Sequence, residues 1–285
     1  MSNDKIRSVS DMFSSIIGTD WNKGEYIFRG QANIEWPIKP SMLRGAKSID
    51  DEIKEKAMLM SLYNNVEVPY YQGKDPVEYL TVLQHYNIPT RLLDFTKDPL
   101  IALYFACSDM NEKEKDGVFI VTNKTYFNDF SLYRYDNEYL VDKYADLREN
   151  AVAERRNIFD IKYFESLFPS PRLRGQNGCF LYFSFATEKP TDKEYISLDQ
   201  YIKLVNRHNI EQGSENRVCI MTKPIDKLFK SAILSELKTK YFISEETLFF
   251  PSFYSFLVEH SFKKFVDRID EDFQRIRAIH EKRNN

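Results

Sequence analysis

The spacing of apolar positions changes repeatedly along the chain, and each change marks a different element. Residues 9–17, VSDMFSSII, suit a short opening helix capped by Ser10 or Asp11. EYIFRG at 25–30 reads as a strand that ends on glycine. Two prolines, Pro37 and Pro40, keep 34–45 extended or turning. Ile53, Ala57, Leu59, Met60 and Leu62 fall at helical spacing within 50–65. Asp75–Pro76 is a cap followed by a first-turn proline, which predicts a helix to about Tyr86, and Pro89 forbids its continuation. Residues 88–97, IPTRLLDFTK, read as a loop leading to a second Asp–Pro start at Asp98–Pro99. The segment after it, LIALYFA, is apolar nearly all round and predicts a buried helix.

Further on, GVFIVT at 117–122, GCFLYFSFA at 178–186 and RVCIMT at 217–222 are strands of β-branched and aromatic residues. Residues 124–170 are mixed and charge-rich. Helices are predicted over about 197–206 and 224–240, and one long helix or two over 252–282. Strands and helices interleave without a strict βαβ rhythm. The expected fold is α+β: a single compact domain with a mixed or antiparallel central sheet flanked by helices.

Composition narrows the function classes. Among the 285 residues, 22 Phe and 18 Tyr supply bulk for a large core, and a net charge of −3 provides no chain-wide basic footprint for nucleic acid. The N-terminal residues lack the apolar run of a signal peptide, and no stretch of 18 apolar residues exists. The expected setting is cytoplasmic, with no membrane partner. Cys107, Cys179 and Cys219 stand apart in apolar surroundings, which suggests reduced core thiols and no metal. Phosphate-cradling GxxxxGK[ST], GxGxxG, HExxH and GxSxG are all missing.

Candidate chemistry gathers at three places. Arg29 sits on an apolar strand, where a guanidinium needs an anion. That anion is a bound phosphate or carboxylate, or an internal Asp or Glu; Gly30 beside it allows close backbone approach. His85 closes a helix, either as a last-turn imidazole meeting the negative helix end or as a site histidine held near Arg91. Arg91 and Asp94 pair with each other, or Asp94 takes the amides opening the Pro99 helix, or both meet a ligand. Arg172, Arg174 and Gln176 precede a strand, as a polar turn or as a cleft rim. His208, His260 and His280 lie in charged or amphipathic segments and read as surface residues.

FRG at 28–30, QHYNIPTRLLDFTKDPLIALYFA at 84–106, RLRGQNGCF at 172–180 and TLFFPSF at 247–253 together resemble the FRG domain family, named for its phenylalanine–arginine–glycine triplet. The resemblance spans roughly 25–255, with 1–24 as a helical lead-in and 256–285 as a C-terminal helix. It implies a bacterial or phage-borne protein tied to defence or toxin systems, with a partner protein there.

An aromatic–Arg–Gly triplet ending an early strand also looks like the first motif of ADP-ribosyltransferases. That resemblance implies NAD as substrate and a protein or nucleic-acid acceptor. Arg29 would then hold the NAD diphosphate, with Gly30, Arg91 and Asp94 completing the binding wall. Gln176 would face the nicotinamide ribose, and His85 would orient ribose hydroxyls or take the acceptor's proton. The stretch 176–180, QNGCF, lacks the glutamate expected there, so Glu246, or Glu245 beside it, would stand in. The alternative is a non-catalytic module that binds an anion, a nucleotide or nucleic acid.

Overall fold

A computed structural model describes residues 5–17, 25–44, 76–85, 88–129, 161–167, 169–183, 197–211, 213 and 218–249. The helices expected over 50–65 and 252–282 lie outside them. The strands are β1 (Tyr26–Gln31), β2 (Leu92–Thr96), β3 (Gly117–Asn123), β4 (Asn128–Asp129), β5 (Ile161–Phe164), β6 (Gly178–Phe183) and β7 (Ile220–Ile225). They form one seven-stranded sheet in the order β4-β5-β6-β2-β1-β3-β7. Every neighbouring pair is antiparallel except the short β4–β5 pair, so the expected α+β class holds.

Eight helices accompany the sheet among the described residues: α1 (Val9–Ile16), α2 (Ser41–Arg44), α3 (Pro76–His85), α4 (Pro99–Cys107), α5 (Pro171–Gly175), α6 (Leu198–Glu211), α7 (Lys230–Tyr241) and α8 (Glu245–Phe249). They cover both faces. Alternation along β1 sends Phe28 to one core, with Val9 and Met12 of α1, Leu103 of α4 and Leu237 of α7. Ile27 goes to the other core, with Met42 and Leu43 of α2 and Leu198 and Tyr201 of α6. Because the sheet is sandwiched, β3 is buried along its whole length, which explains its unbroken apolar run.

Helix α4 is the keystone. Asp98 caps it by accepting from the Leu100 N–H at 2.8 Å, and seven of its nine residues are buried. It lies so close to β1 that a Cβ at Gly30 would stand 1.9 Å from the Ala102 carbonyl oxygen and 2.5 Å from the Ala106 nitrogen. Gly30 is thus a packing requirement between strand and helix. Lys230, at the start of α7, is only 3% exposed and extends its ammonium into the interior. There it donates to the Ala32 carbonyl at 2.6 Å and the Glu112 carbonyl at 3.0 Å, so its buried charge is met by main-chain oxygens.

Several expectations need correction. Residues 92–96 are a central strand, not part of a loop. Pro89 bars a helix on one side and Asp98–Pro99 starts one on the other, and within the eight residues between them Leu92–Thr96 pair with β6 instead. Ser8, rather than Ser10 or Asp11, caps α1. Residues 171–175, read as a polar turn or a cleft rim, form a short helix with a proline start, and Arg172 and Gln176 line the cleft. β7 runs to Ile225 through Pro224, which an edge strand tolerates because its missing N–H removes no central ladder bond. α7 begins at Lys230, after a single 3-10 turn at Lys227–Phe229. α6 runs on to Glu211. Cys107 and Cys179 are buried, with thiols pushed up to about 12 by burial, but Cys219 is exposed beside edge strand β7.

Candidate functional site

The sheet opens at its centre. β1 pairs with β3 at six positions and β2 with β6 at five, yet β1 and β2 are in register only at Phe28↔Thr96. Beyond that pair the strands part, and Arg29 stands in the parting. Its Nη1 donates to the Asp94 carbonyl oxygen at 2.7 Å, occupying an acceptor that a continued ladder would have used. Its Nε donates to Gln31 Oε1 at 3.1 Å, and Gln31 Nε2 in turn donates to the Trp36 carbonyl.

The parting widens into a cleft of about 560 Å³, a size suited to a small organic ligand. Arg29, Arg44 and Arg172 reach its wall, against the carboxylates of Asp94 and Asp109. Trp36, Phe105 and Phe180 supply aromatic surface. Gln31, Gln84 and Gln176 add amide groups.

The electrostatics favour an anion. The Arg29 side chain is 11% exposed, and loss of water drives its pKa down to about 10; Asp94 opposes that shift and Arg44 adds to it. Arg29 therefore remains cationic at neutral pH. Burial likewise lowers the Arg44 pKa, again opposed by Asp94. The Asp94 carboxylate balances these cations only partly, because its nearer oxygen lies 3.9 Å from Arg29 Nη1 and the side chain is 62% exposed. Its other oxygen accepts from Gln84 Nε2 at 2.6 Å, and Thr90 Oγ1 donates to Gln84 Oε1, which fixes the amide's orientation.

The expected site residues divide. Arg29, Gly30, Asp94 and Gln176 line the cleft, whereas Arg91, His85 and Glu246 do not. Arg91 is 1% exposed, donates to the Phe183 carbonyl at 3.3 Å and lies over the Tyr182 ring. It does not pair with Asp94, and Asp94 does not cap α4, a role that belongs to Asp98. His85 is half-buried at the end of α3, where its neighbour Gln84 faces the cleft instead. Glu246 stands in the first turn of α8 on the outer surface, with its carboxylate 3.6 Å from Lys238 Nζ. Gln176 follows α5, donates weakly to the Leu248 carbonyl at 3.4 Å, and its own carbonyl accepts from Thr96 Oγ1.

The sequence reading passes over Arg44, Gln84 and Trp36. Arg44 ends a four-residue helix behind two prolines, and Trp36 lies in the same irregular stretch, where no periodicity fixes which way a side chain points. Gln84 carried a usable signal, since it immediately precedes His85 in the last turn of a capped helix. Among the described residues no group of three His, Cys, Asp or Glu side chains could hold a metal ion, and no helix is long and apolar enough to cross a membrane.

A family model described as FRG domain matches residues 24–115. That range contains β1, α2, α3, β2 and α4, hence Arg29, Arg44, Gln84, Asp94 and the glycine under α4; Arg172 and Gln176 join the cleft from beyond it. No curated protein and no solved structure matches the chain. None of these comparisons supports the resemblance to ADP-ribosyltransferases.

Proposed function

We propose that the FRG domain carried by this chain is a receptor for a nucleotide-like anion, bound in the cleft between β1 and β2. One observation carries the reading: the largely desolvated Arg29 guanidinium lines the cleft beside a second arginine, Arg44, and the Asp94 carboxylate that faces it stays 3.9 Å away. A phosphate or diphosphate there would relieve the repulsion between the arginines and add a close anionic partner to a guanidinium whose hydrogen bonds go to neutral oxygens. The aromatic surface of Trp36 and Phe105 offers a platform for a planar ring at the same time. The anion supplies affinity and the ring supplies orientation.

A second reading adds chemistry to this binding, and Asp94 favours it because it sets a carboxylate inside the same cleft. In that reading the ligand is NAD. The bond between the ribose carbon and the nicotinamide nitrogen breaks, and its electron pair neutralises the pyridinium. An acceptor nucleophile on protein or nucleic acid then bonds to the sugar carbon and releases a proton. Positive charge on the sugar is stabilised by Asp94 rather than by Glu246, while Arg29 anchors the diphosphate and Gln176 contacts the ribose. A toxin or defence role would follow from transfer to an essential acceptor.

The test is incubation of the full chain with labelled NAD and cell extract, beside direct titration with unlabelled NAD. Saturable binding that Arg29→Ala weakens about a hundredfold supports the receptor reading. Label transfer by the wild type alone supports the transferase. Binding that is indifferent to Arg29 refutes both.

A further inference from the structure

We propose that Asp94 is the selectivity residue of this cleft, and that it restricts the ligand to one carrying hydroxyl donors beside its phosphate, as the ribose diol of a nucleotide does. The proposal rests on the receptor reading and specifies its ligand class.

The geometry of the carboxylate is the argument. A carboxylate that served only as the internal counter-ion of Arg29 would close to hydrogen-bond distance, below about 3 Å, and share both oxygens with the guanidinium. Asp94 does not. Its Oδ1 is drawn to Gln84 Nε2 at 2.6 Å, and Oδ2 stays 3.9 Å from Arg29 Nη1. Arg29 instead uses that nitrogen on the Asp94 main-chain oxygen at 2.7 Å. The chain from Thr90 through Gln84 to Asp94 is itself anchored, since Thr90 is fully buried and its hydroxyl also accepts from the Leu92 N–H. The carboxylate is therefore held in the cleft by neutral partners, with one oxygen facing the space next to the arginines.

This arrangement has two consequences for a ligand. An anion placed on Arg29 and Arg44 lies within a few ångströms of Asp94 and is repelled by it, so charge alone recruits simple phosphates poorly. A ligand that also presents hydroxyls to Oδ2 turns the same carboxylate into a strong acceptor, because hydrogen bonds to charged groups exceed neutral ones. Vicinal ribose hydroxyls next to a diphosphate meet both requirements. A fixed carboxylate thus converts an anion site into a nucleotide site.

The test is equilibrium titration of the full chain with ADP, with 2′,3′-dideoxy-ADP and with inorganic pyrophosphate, in the wild type and in Asp94→Asn, Gln84→Leu and Arg29→Ala. The wild type is expected to bind ADP about tenfold or more tightly than the dideoxy analogue. Asp94→Asn should bring that ratio close to one and tighten pyrophosphate binding, and Gln84→Leu should move both quantities part of the way. Equal affinity of the wild type for ADP and its dideoxy analogue overturns the assignment of Asp94, as does an unchanged ratio in Asp94→Asn. In either case Arg29-dependent binding leaves the receptor reading standing. Loss of Arg29 dependence, or no binding of any of the three probes to the wild type, overturns the receptor reading and the assignment together. The exposure of Asp94 makes its amide variant a folded control, checked by an unchanged melting temperature.

Discussion

Replacing Gly30 with alanine adds one methyl group, and its effect separates two roles for the glycine. The new Cβ would stand 1.9 Å from the Ala102 carbonyl oxygen, whereas ordinary contact begins at 3.4 Å, so strand and helix must separate by about 1.5 Å. Both close atoms are backbone, so no rotamer change can relieve the clash. Helix α4 cannot retreat freely either, because its Ile101, Ala102, Leu103 and Ala106 are buried in one core with Met12 of α1 and Ile233 and Leu237 of α7. Lower entropy of the unfolded chain would favour alanine by at most about 1 kcal/mol, and overpacking of a core costs about 1–3 kcal/mol and sometimes more. Packing should win, with a net loss of about 1–2 kcal/mol and a melting temperature lower by on the order of 2–6 °C. Chemical denaturation with linear extrapolation measures it, and the midpoint should fall without a large change in slope. A variant within about 0.5 kcal/mol of the wild type that nevertheless loses ligand would refute the packing argument and make the glycine a ligand-approach residue.

Two further outcomes follow from the fold. Asp98→Ala removes the side chain that caps α4 and should cost about 1 kcal/mol, read as a lower denaturation midpoint; no change would mean the helix start is set by Pro99 alone. Asp116 is raised by burial but held below its ordinary carboxylate value overall by Lys5 Nζ at 2.6 Å and the Lys227 N–H. A depressed carboxylate contributes stability above its unfolded value of 3.8 and loses it as pH falls through the lower folded value. Asp116→Asn should therefore flatten the decline of stability below about pH 4 while leaving its slope near neutrality unchanged, and an acid limb identical to the wild type's would refute this.

The elements whose signals are local could be read from the sequence. Asp–Pro starts located α3 and α4, and β-branched and aromatic runs located β1, β3 and β6. β2 escaped because a five-residue strand set between a proline and a cap carries too little periodicity to declare itself; its identity comes from the neighbours that hydrogen-bond to it. The same holds for the site. Arg29 drew attention as a cation on an apolar strand, and it does stand in the cleft beside Asp94. Its partner is the Asp94 main chain, however, and main-chain acceptors leave no mark on a sequence. Arg91 is also an arginine and stands three residues from Asp94, just ahead of β2, yet it turns to Phe183 and Tyr182, because the pairing of β2 with β6, and not the local sequence, sets which neighbours it meets. Glu246 suited the role by sequence proximity to a shared motif, but α8 turns it outward toward Lys238.

The central claim is that the parting between β1 and β2 receives an anion on Arg29. A crystal structure of the chain grown with ADP tests it most directly. The account predicts a phosphate oxygen at about 3 Å from the Arg29 guanidinium, with Arg44 on the same group and a ribose hydroxyl on Asp94. ADP seated elsewhere, or an empty cleft in a crystal soaked to saturation, would contradict it.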